Sequence, residues 1–214
     1  MWRCYIDTMS TETVSTSAGQ RGPADHTMRE QIVTAAHDHF VHYGYGKTTV
    51  SDLAKAIGFS KAYIYKFFDS KQAIGEAICS NCLDGLLTRA RAEAALGKSA
   101  TDKLRRLFRG IVTVSVELFF DDRKLYDIAA HATAEHWPSC EPYLAGLGET
   151  LQEIILEGRE SGEFERKTPL DETCRAILQV MEPFKNPLML QYNLDKIPDG
   201  PNEAIGLILR SLAP

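Results

Sequence analysis

The chain has 214 residues, 44% hydrophobic and 25% charged, an ordinary balance for a soluble globular protein. No apolar run reaches the length of a membrane span, and the first residues lack a secretory apolar region (Trp2, Arg3 and Cys4 run into Asp7, Thr8 and Ser10), so a cytoplasmic location is expected. The net charge of −5 disfavours a nucleic-acid partner only as an average: residues 21–75 carry seven Lys/Arg against five acids (+2), residues 1–20 carry −1 and residues 76–214 carry −6.

Residues 1–22 are rich in Thr and Ser and poor in apolar side chains; a disordered arm is expected there, with Arg21 and Arg29 near its end within reach of phosphates. A first helix is predicted from Thr27, whose spacing to Glu30 is that of a capping box, with Ile32, Ala36, Phe40 and Tyr43 on one face and Gly44 as its stop. Residues 50–57 form a second helix, capped by Thr49 with Asp52 in its first turn, and Gly58 permits the turn that ends it. Ser60 caps a third helix to about residue 67, and Asp69 or Ser70 caps a long fourth to about residue 96. Helices follow over 100–120, 122–136, 141–161 (closed by Gly162) and 170–182, where Pro183 and Pro187 break the pattern. Asp199-Gly200-Pro201 reads as a turn, with Asn202 capping a last helix to Leu212. The expectation is an all-α chain of about nine helices, with a helix-turn-helix head over 23–75 and a helical ligand-binding and dimerisation body over 76–214.

Residues 48–71 carry the chemistry. A short helix, a glycine turn and a second short helix are the parts of a helix-turn-helix, whose second helix enters the major groove of duplex DNA. Phe59, Ile64 and Phe67 or Phe68 supply a buried stripe. Ala62 is small where backbone approaches DNA, while Ser60, Lys61, Tyr63, Tyr65 and Lys66 offer donors outward. Thr48, Thr49 and Ser51 add donors at a helix start that favours phosphate, and Lys71 opens the next helix beside the same surface.

This string resembles the tetracycline-repressor (TetR) family of transcriptional regulators, whose pattern is close to Thr-Val-x-x-Ile-Ala-x-x-Ala-Gly-Val-Ser-x-Gly-x-Leu-Tyr-x-Tyr-Phe-x-Ser-Lys. Thr49, Val50, Leu53, Ala54, Gly58, Ser60, Ile64, Tyr65, Phe68, Ser70 and Lys71 match it. Ile57, Phe59, Ala62, Tyr63 and Phe67 depart from it, which bears on the operator read rather than on the fold. The resemblance implies a DNA-binding repressor of a near-palindromic operator. It also implies a homodimer pairing the last two long helices, for which 170–182 and 202–212 are the candidates. A body cavity for a small apolar or aromatic effector is implied as well. Candidate ligand-binding residues are Phe108, Val112, Phe119, Tyr126, His131, Trp137, Tyr143, Met181 and Phe184, types that cavities and cores both use.

No nucleophile–base or paired-carboxylate arrangement supports an enzyme, and neither a metal nor a cofactor is expected. Cys79 and Cys82 stand one helical turn apart with no second pair to complete a metal site, and His131 and His136 fall on different helix faces. Five cysteines fit free thiols of a reducing compartment. The competing reading is a small-molecule-binding or thiol-sensing helical protein with little specific DNA binding.

Overall fold

A computed structural model describes residues 23–121 and 123–214. The arm expected over 1–22 lies outside the described residues. Eleven α-helical segments follow one another: α1 (Pro23–Tyr43), α2 (Val50–Ala56), α3 (Lys61–Ile64), α4 (Lys71–Ala95), α5 (Ala100–Asp121), α6 (Arg123–Ala134), α7 (Glu141–Ser161), α8 (Leu170–Val180), α9 (Glu182–Lys185), α10 (Pro187–Leu190) and α11 (Asp199–Ser211). Single 3₁₀ turns cover Pro138–Cys140 and Leu194–Lys196, and no strand occurs among the described residues. The all-α expectation holds.

Several boundaries differ from those read in the sequence. Helix α1 already runs at Pro23, so Thr27 and Glu30 lie inside it and their spacing marks no start. A proline suits a first helical position because the N–H it lacks would go unpaired there, and Asp25 stands in the first turn. The same effect draws Asp199-Gly200-Pro201 into the first turn of α11 instead of a separate turn before Asn202. Pro183 and Pro187 end α8 at Val180 but sit in the first turns of α9 and α10, so the segment after α8 is two single-turn helices rather than a plain break. These short pieces raise the count above nine.

Two apolar clusters organise the packing. One joins Ile32, Ala36 and Phe40 of α1 to Leu53 of α2, Ile64 of α3, and Ile74 and Ile78 of α4, and extends to Leu125 and Ile128 of α6 and to Trp137. The other joins Leu86, Leu87 and Ala90 of α4 to Leu104, Leu107 and Ile111 of α5, Leu147 and Leu151 of α7, Ile177 of α8, and Ile205 and Ile208 of α11. Each fully buried Leu or Ile contributes about 1.5–3 kcal/mol through area removed from water. Helix α4 belongs to both clusters. Its 25 residues span about 37 Å at 1.5 Å per residue. It runs unbroken through residues 75 and 76, and the first cluster draws side chains from both sides of that point.

Candidate nucleic-acid interface and ligand cavity

The turn between α2 and α3 is built from backbone hydrogen bonds that its sequence specifies. Gly58 has φ +74°, the left-handed region where a Cβ is unfavourable. There the Phe59 N–H reaches the Ala54 carbonyl at 2.9 Å and the Gly58 N–H the Lys55 carbonyl at 3.4 Å, the two bonds of a Schellman ending. At the start of α2, the Asp52 N–H donates to Thr49 Oγ1 at 3.2 Å and the Thr49 N–H returns to Asp52 Oδ2 at 3.0 Å. Bonds from Thr49, its hydroxyl first, hold the Asp52 carboxyl below its usual range. Ser60 Oγ accepts from the Tyr63 N–H at 3.1 Å and so fixes the first turn of α3. The helix itself ends at Ile64, short of the limit near Phe67 expected from the sequence, and hydrogen-bonded turns carry the chain on to Phe67.

The donor set divides on exposure. Thr49, Ser60, Lys61, Ala62, Tyr65 and Lys66 face solvent, and Ser51 is half-buried. The ammonium of Lys61 stands 5.6 Å from the Tyr65 ring centroid, and that of Lys66 5.5 Å from the Tyr63 ring. Three candidates have other duties. Thr48 is 3% exposed and its hydroxyl donates to the Gly44 carbonyl at 2.8 Å, closing the α1–α2 loop. Tyr63 is half-buried between Phe59 and Phe67, at centroid distances of 4.9 and 5.4 Å. The Lys71 ammonium donates to the Tyr45 carbonyl at 3.0 Å and lies 4.3 Å from that residue's ring. An ammonium held this way braces the α1–α2 loop instead of standing free for phosphate.

A cavity of about 450 Å³ lies among α4, α5, α6, α7, the Pro138–Cys140 turn and the α9–α10 segment. Its size falls in the range of ligand sites, roughly 300–1,000 Å³, and its wall is mainly apolar: Leu83, Leu86, Leu118, Leu125, Ile128 and Ala132 among others. Of the sequence candidates, Tyr126, Trp137 and Tyr143 line it. Phe108, Val112, Met181 and Phe184 are buried instead in the second apolar cluster, packed against other helices. Phe119 meets Tyr126 edge-on at 4.8 Å from outside the wall. His131 pairs with Glu135 at 3.3 Å and stands against Tyr45 and Trp137, also outside. His136 takes the place in the lining that His131 lacks.

His136 adopts φ 55°, which histidine tolerates better than most non-glycine residues. It completes a Schellman ending for α6, with the Trp137 N–H on the Ala132 carbonyl at 2.9 Å and its own N–H on the Thr133 carbonyl at 3.3 Å. This turn drives Trp137 inward to 2% exposure. On one side the indole walls the cavity, and on the other it meets Tyr45 of the α1–α2 loop.

The polar lining is sparse. Its acidic and basic side chains, His136 aside, are Glu141, Glu182 and Lys185. Lys185 forms an ion pair with Glu182, which also accepts from the Asn186 amide at 2.8 Å. The Tyr126 hydroxyl donates to the Pro187 carbonyl, and burial raises its pKa to about 12. The Tyr143 hydroxyl is buried with no hydrogen-bond partner among the described residues, and burial pushes its pKa well above the usual tyrosine range. Cys79, Cys82 and Cys140 also line the cavity; burial pushes the Cys79 and Cys140 thiols up, away from the reactive thiolate. Among the described residues no group of three or more His, Cys, Asp or Glu is placed to hold a metal ion.

Comparison with known proteins fits this arrangement. Residues 32–78 match the family of bacterial regulatory proteins, tetR family, and residues 100–200 match the tetracyclin repressor-like C-terminal domain. The chain is 39% identical over 59 residues to IcaR of Staphylococcus aureus, a negative transcriptional regulator of a biofilm operon, covering 28% of this chain and 32% of that protein. It is 32% identical over 103 residues to FasR of Mycolicibacterium smegmatis, a transcriptional activator, covering 48% of this chain and 43% of that protein. These matches therefore span from 32% to 43% of the curated relatives' length. In fold it is similar to FadR of Thermus thermophilus, a repressor solved with lauroyl-CoA, at a TM-score of 0.63 and 23% identity over 86% of this chain and 94% of that one. The two family matches sit on the helix-turn-helix head and the cavity-bearing body, and the chain belongs to the tetR family of bacterial regulatory proteins.

Proposed function

We propose that this chain is a dimeric repressor that leaves its operator when a small, uncharged, mainly apolar effector fills the cavity. The observation that carries the reading is the position of Trp137, which is at once cavity wall and packing partner of Tyr45 in the loop that leads into α2. A ligand that favours one placement of the indole would favour one placement of the head, and two heads splayed beyond the reach of successive major grooves would lose affinity.

In this reading Lys61 and Lys66 contact phosphate or guanine, the Tyr65 hydroxyl contacts phosphate, and Ala62 lets α3 approach the base edges. Thr49, Ser51 and Ser60 bring the starts of α2 and α3 against the backbone. The exposed Val180 of α8 and Leu207 of α11, 42% and 57% exposed, favour these two helices as the dimer face. Ile205, Ile208 and Leu212 are already spent on the protomer's own core, so the self-complementary face is narrower than the sequence of α11 suggests. The place of action is the cytoplasm, where the operator is.

Similarity to IcaR over 59 residues favours repression, and FadR supplies the precedent of an acyl-CoA ligand. The cavity here argues for something simpler. Two carboxylates and one lysine already paired are a poor partner for the several phosphates of a coenzyme A moiety, whereas an acyl-like or aromatic body suits the apolar wall.

Nuclease footprinting of the gene's own upstream region with the full-length protein tests the reading. The expected result is a discrete protected site with two half-sites about one helical turn apart, lost in a Lys61→Ala/Lys66→Ala variant that stays folded. Diffuse protection that the double variant leaves unchanged would refute it.

A further inference from the structure

We propose that Ala62, set between the rings of Tyr63 and Tyr65, reads the 5-methyl group of one thymine in each half-site of the operator. The proposal rests on the reading of α3 as the helix that enters the major groove, and it names what one position of that helix recognises there.

Ile64 is 0% exposed and fixes the inward side of α3. Each residue of a helix advances about 100°, so Ala62 lies about 200° from Ile64, on the opposite side. Tyr63 and Tyr65 lie about 100° to either side of Ile64 and so flank Ala62. Tyr65 keeps helical backbone angles, φ −65° and ψ −9°, although the helix ends one residue earlier. Exposure agrees with this wheel: Ala62 and Tyr65 face solvent, and Tyr63 is half-buried. Stacking on Phe59 and Phe67 holds the Tyr63 ring in place. Each exposed lysine lies against one of the two tyrosines, Lys61 against Tyr65 and Lys66 against Tyr63. The outermost point of α3 is therefore a methyl group between two rings, with a cation beyond each ring.

A methyl group neither donates nor accepts a hydrogen bond, so Ala62 cannot read the donor and acceptor pattern of a base edge. Among the four bases only thymine presents a methyl group in the major groove, at C5. Contact between the two methyls removes both from water. The tetR pattern carries glycine where Ala62 stands, and glycine has no methyl to offer. The recognition thus belongs to this chain's own departure from the pattern.

Deoxyuridine pairs with adenine as thymidine does and lacks only the methyl. Each thymine of the footprinted half-sites is replaced by it in turn, and Kd is measured by fluorescence anisotropy on the full-length protein. The expected result is one position per half-site at which the replacement weakens binding about fourfold in one half-site and about fifteenfold in both, the worth of one buried methyl each time. Ala62→Gly should bring these ratios within twofold. Ala62→Ser, which sets a hydroxyl against the methyl, should do the same. Each ratio compares two duplexes on one protein, so a loss of stability in either variant cancels. A site at which no thymine methyl matters by more than twofold would overturn the proposal and leave the operator reading standing. So would a thymine preference that survives both substitutions, because another side chain would then read the methyl. Absence of any discrete footprint would overturn the operator reading and this proposal with it.

Discussion

The ring of Tyr45 meets the indole of Trp137 edge-on, with centroids 5.5 Å apart and planes at 67°. Tyr45 belongs to the α1–α2 loop, is 8% exposed, and is braced by the ammonium of Lys71. Trp137 belongs to the turn after α6 and walls the cavity. An aromatic pair of this geometry adds about 0.5–1.5 kcal/mol beyond the area it buries. A double-mutant cycle with Tyr45→Leu and Trp137→Leu, read by urea denaturation, should give a favourable coupling of that size. Additive effects would mean that the two rings only fill space beside one another.

Gly75 allows this pair to form. It lies within α4, where glycine costs about 1 kcal/mol relative to alanine, so Gly75→Ala would ordinarily stabilise. Here an added Cβ would stand 2.8 Å from Trp137 Cη2 and 2.9 Å from Tyr45 Cε2. Overpacking of this kind costs about 1–3 kcal/mol. The expected net effect is a loss of about 1 kcal/mol, or about 2–4 °C in a chain of this length, with a shifted tryptophan emission maximum. A higher melting temperature would show that both rings yield freely.

In the proposed reading the exposed Lys61 of α3 and Lys66 of the turn after it act through charge. Replacing Lys61 or Lys66 by alanine should reduce the slope of log affinity against log salt by about one each, and weaken binding across sequences if the contact is to phosphate. Lys71→Ala should instead lower stability, since its ammonium is spent on Tyr45. Fluorescence-anisotropy titrations at several salt concentrations, beside thermal melts, separate the two roles.

A carboxylate far from both sites sets an acid limit to stability. Glu163, in the α7–α8 loop, accepts from the Thr101 N–H and the Ala100 N–H at 3.0 Å each, capping α5 from outside, and from the Ser161 hydroxyl at 3.1 Å. These bonds, Thr101's foremost, hold its pKa at about 2. The folded value is depressed, so the stabilisation is complete above the ordinary glutamate pKa of about 4.3 and is lost as pH falls towards 2. Glu163→Gln should therefore melt below the wild type at pH 7, with the gap closing between pH 5 and pH 2. A constant gap over that range would assign the effect to shape instead of charge.

Local chemistry made the head legible. Thr49, Asp52, Gly58 and Ser60 each announce a cap or a turn within a few residues of sequence, and each does that work in the fold. The turn that aims Trp137 was not announced, because its left-handed position is filled by His136 where a glycine would have signalled it. The cavity was legible only in part. Tyr126, Trp137 and Tyr143 stand out as large side chains with polar tips, but which apolar residues face a void and which face a neighbouring helix depends on how α4 to α7 cross. Phe108 and Ser115 share α5, and packing sends the phenylalanine into the second core while the serine lines the cavity. Cys79 and Cys82 read as inert buried thiols from their spacing, and nothing in that spacing placed them in a cavity wall.

The account rests on the cavity governing the head, and filling the cavity with the protein's own side chain tests this without any effector. Ala129 of α6 lines the cavity, and Ala129→Trp would occupy part of its volume. Operator affinity of the folded, dimeric variant, measured by anisotropy against the wild type on the footprinted site, should fall at least tenfold. Affinity within twofold of the wild type would contradict the account, because the cavity would then be a void with no hold on DNA binding.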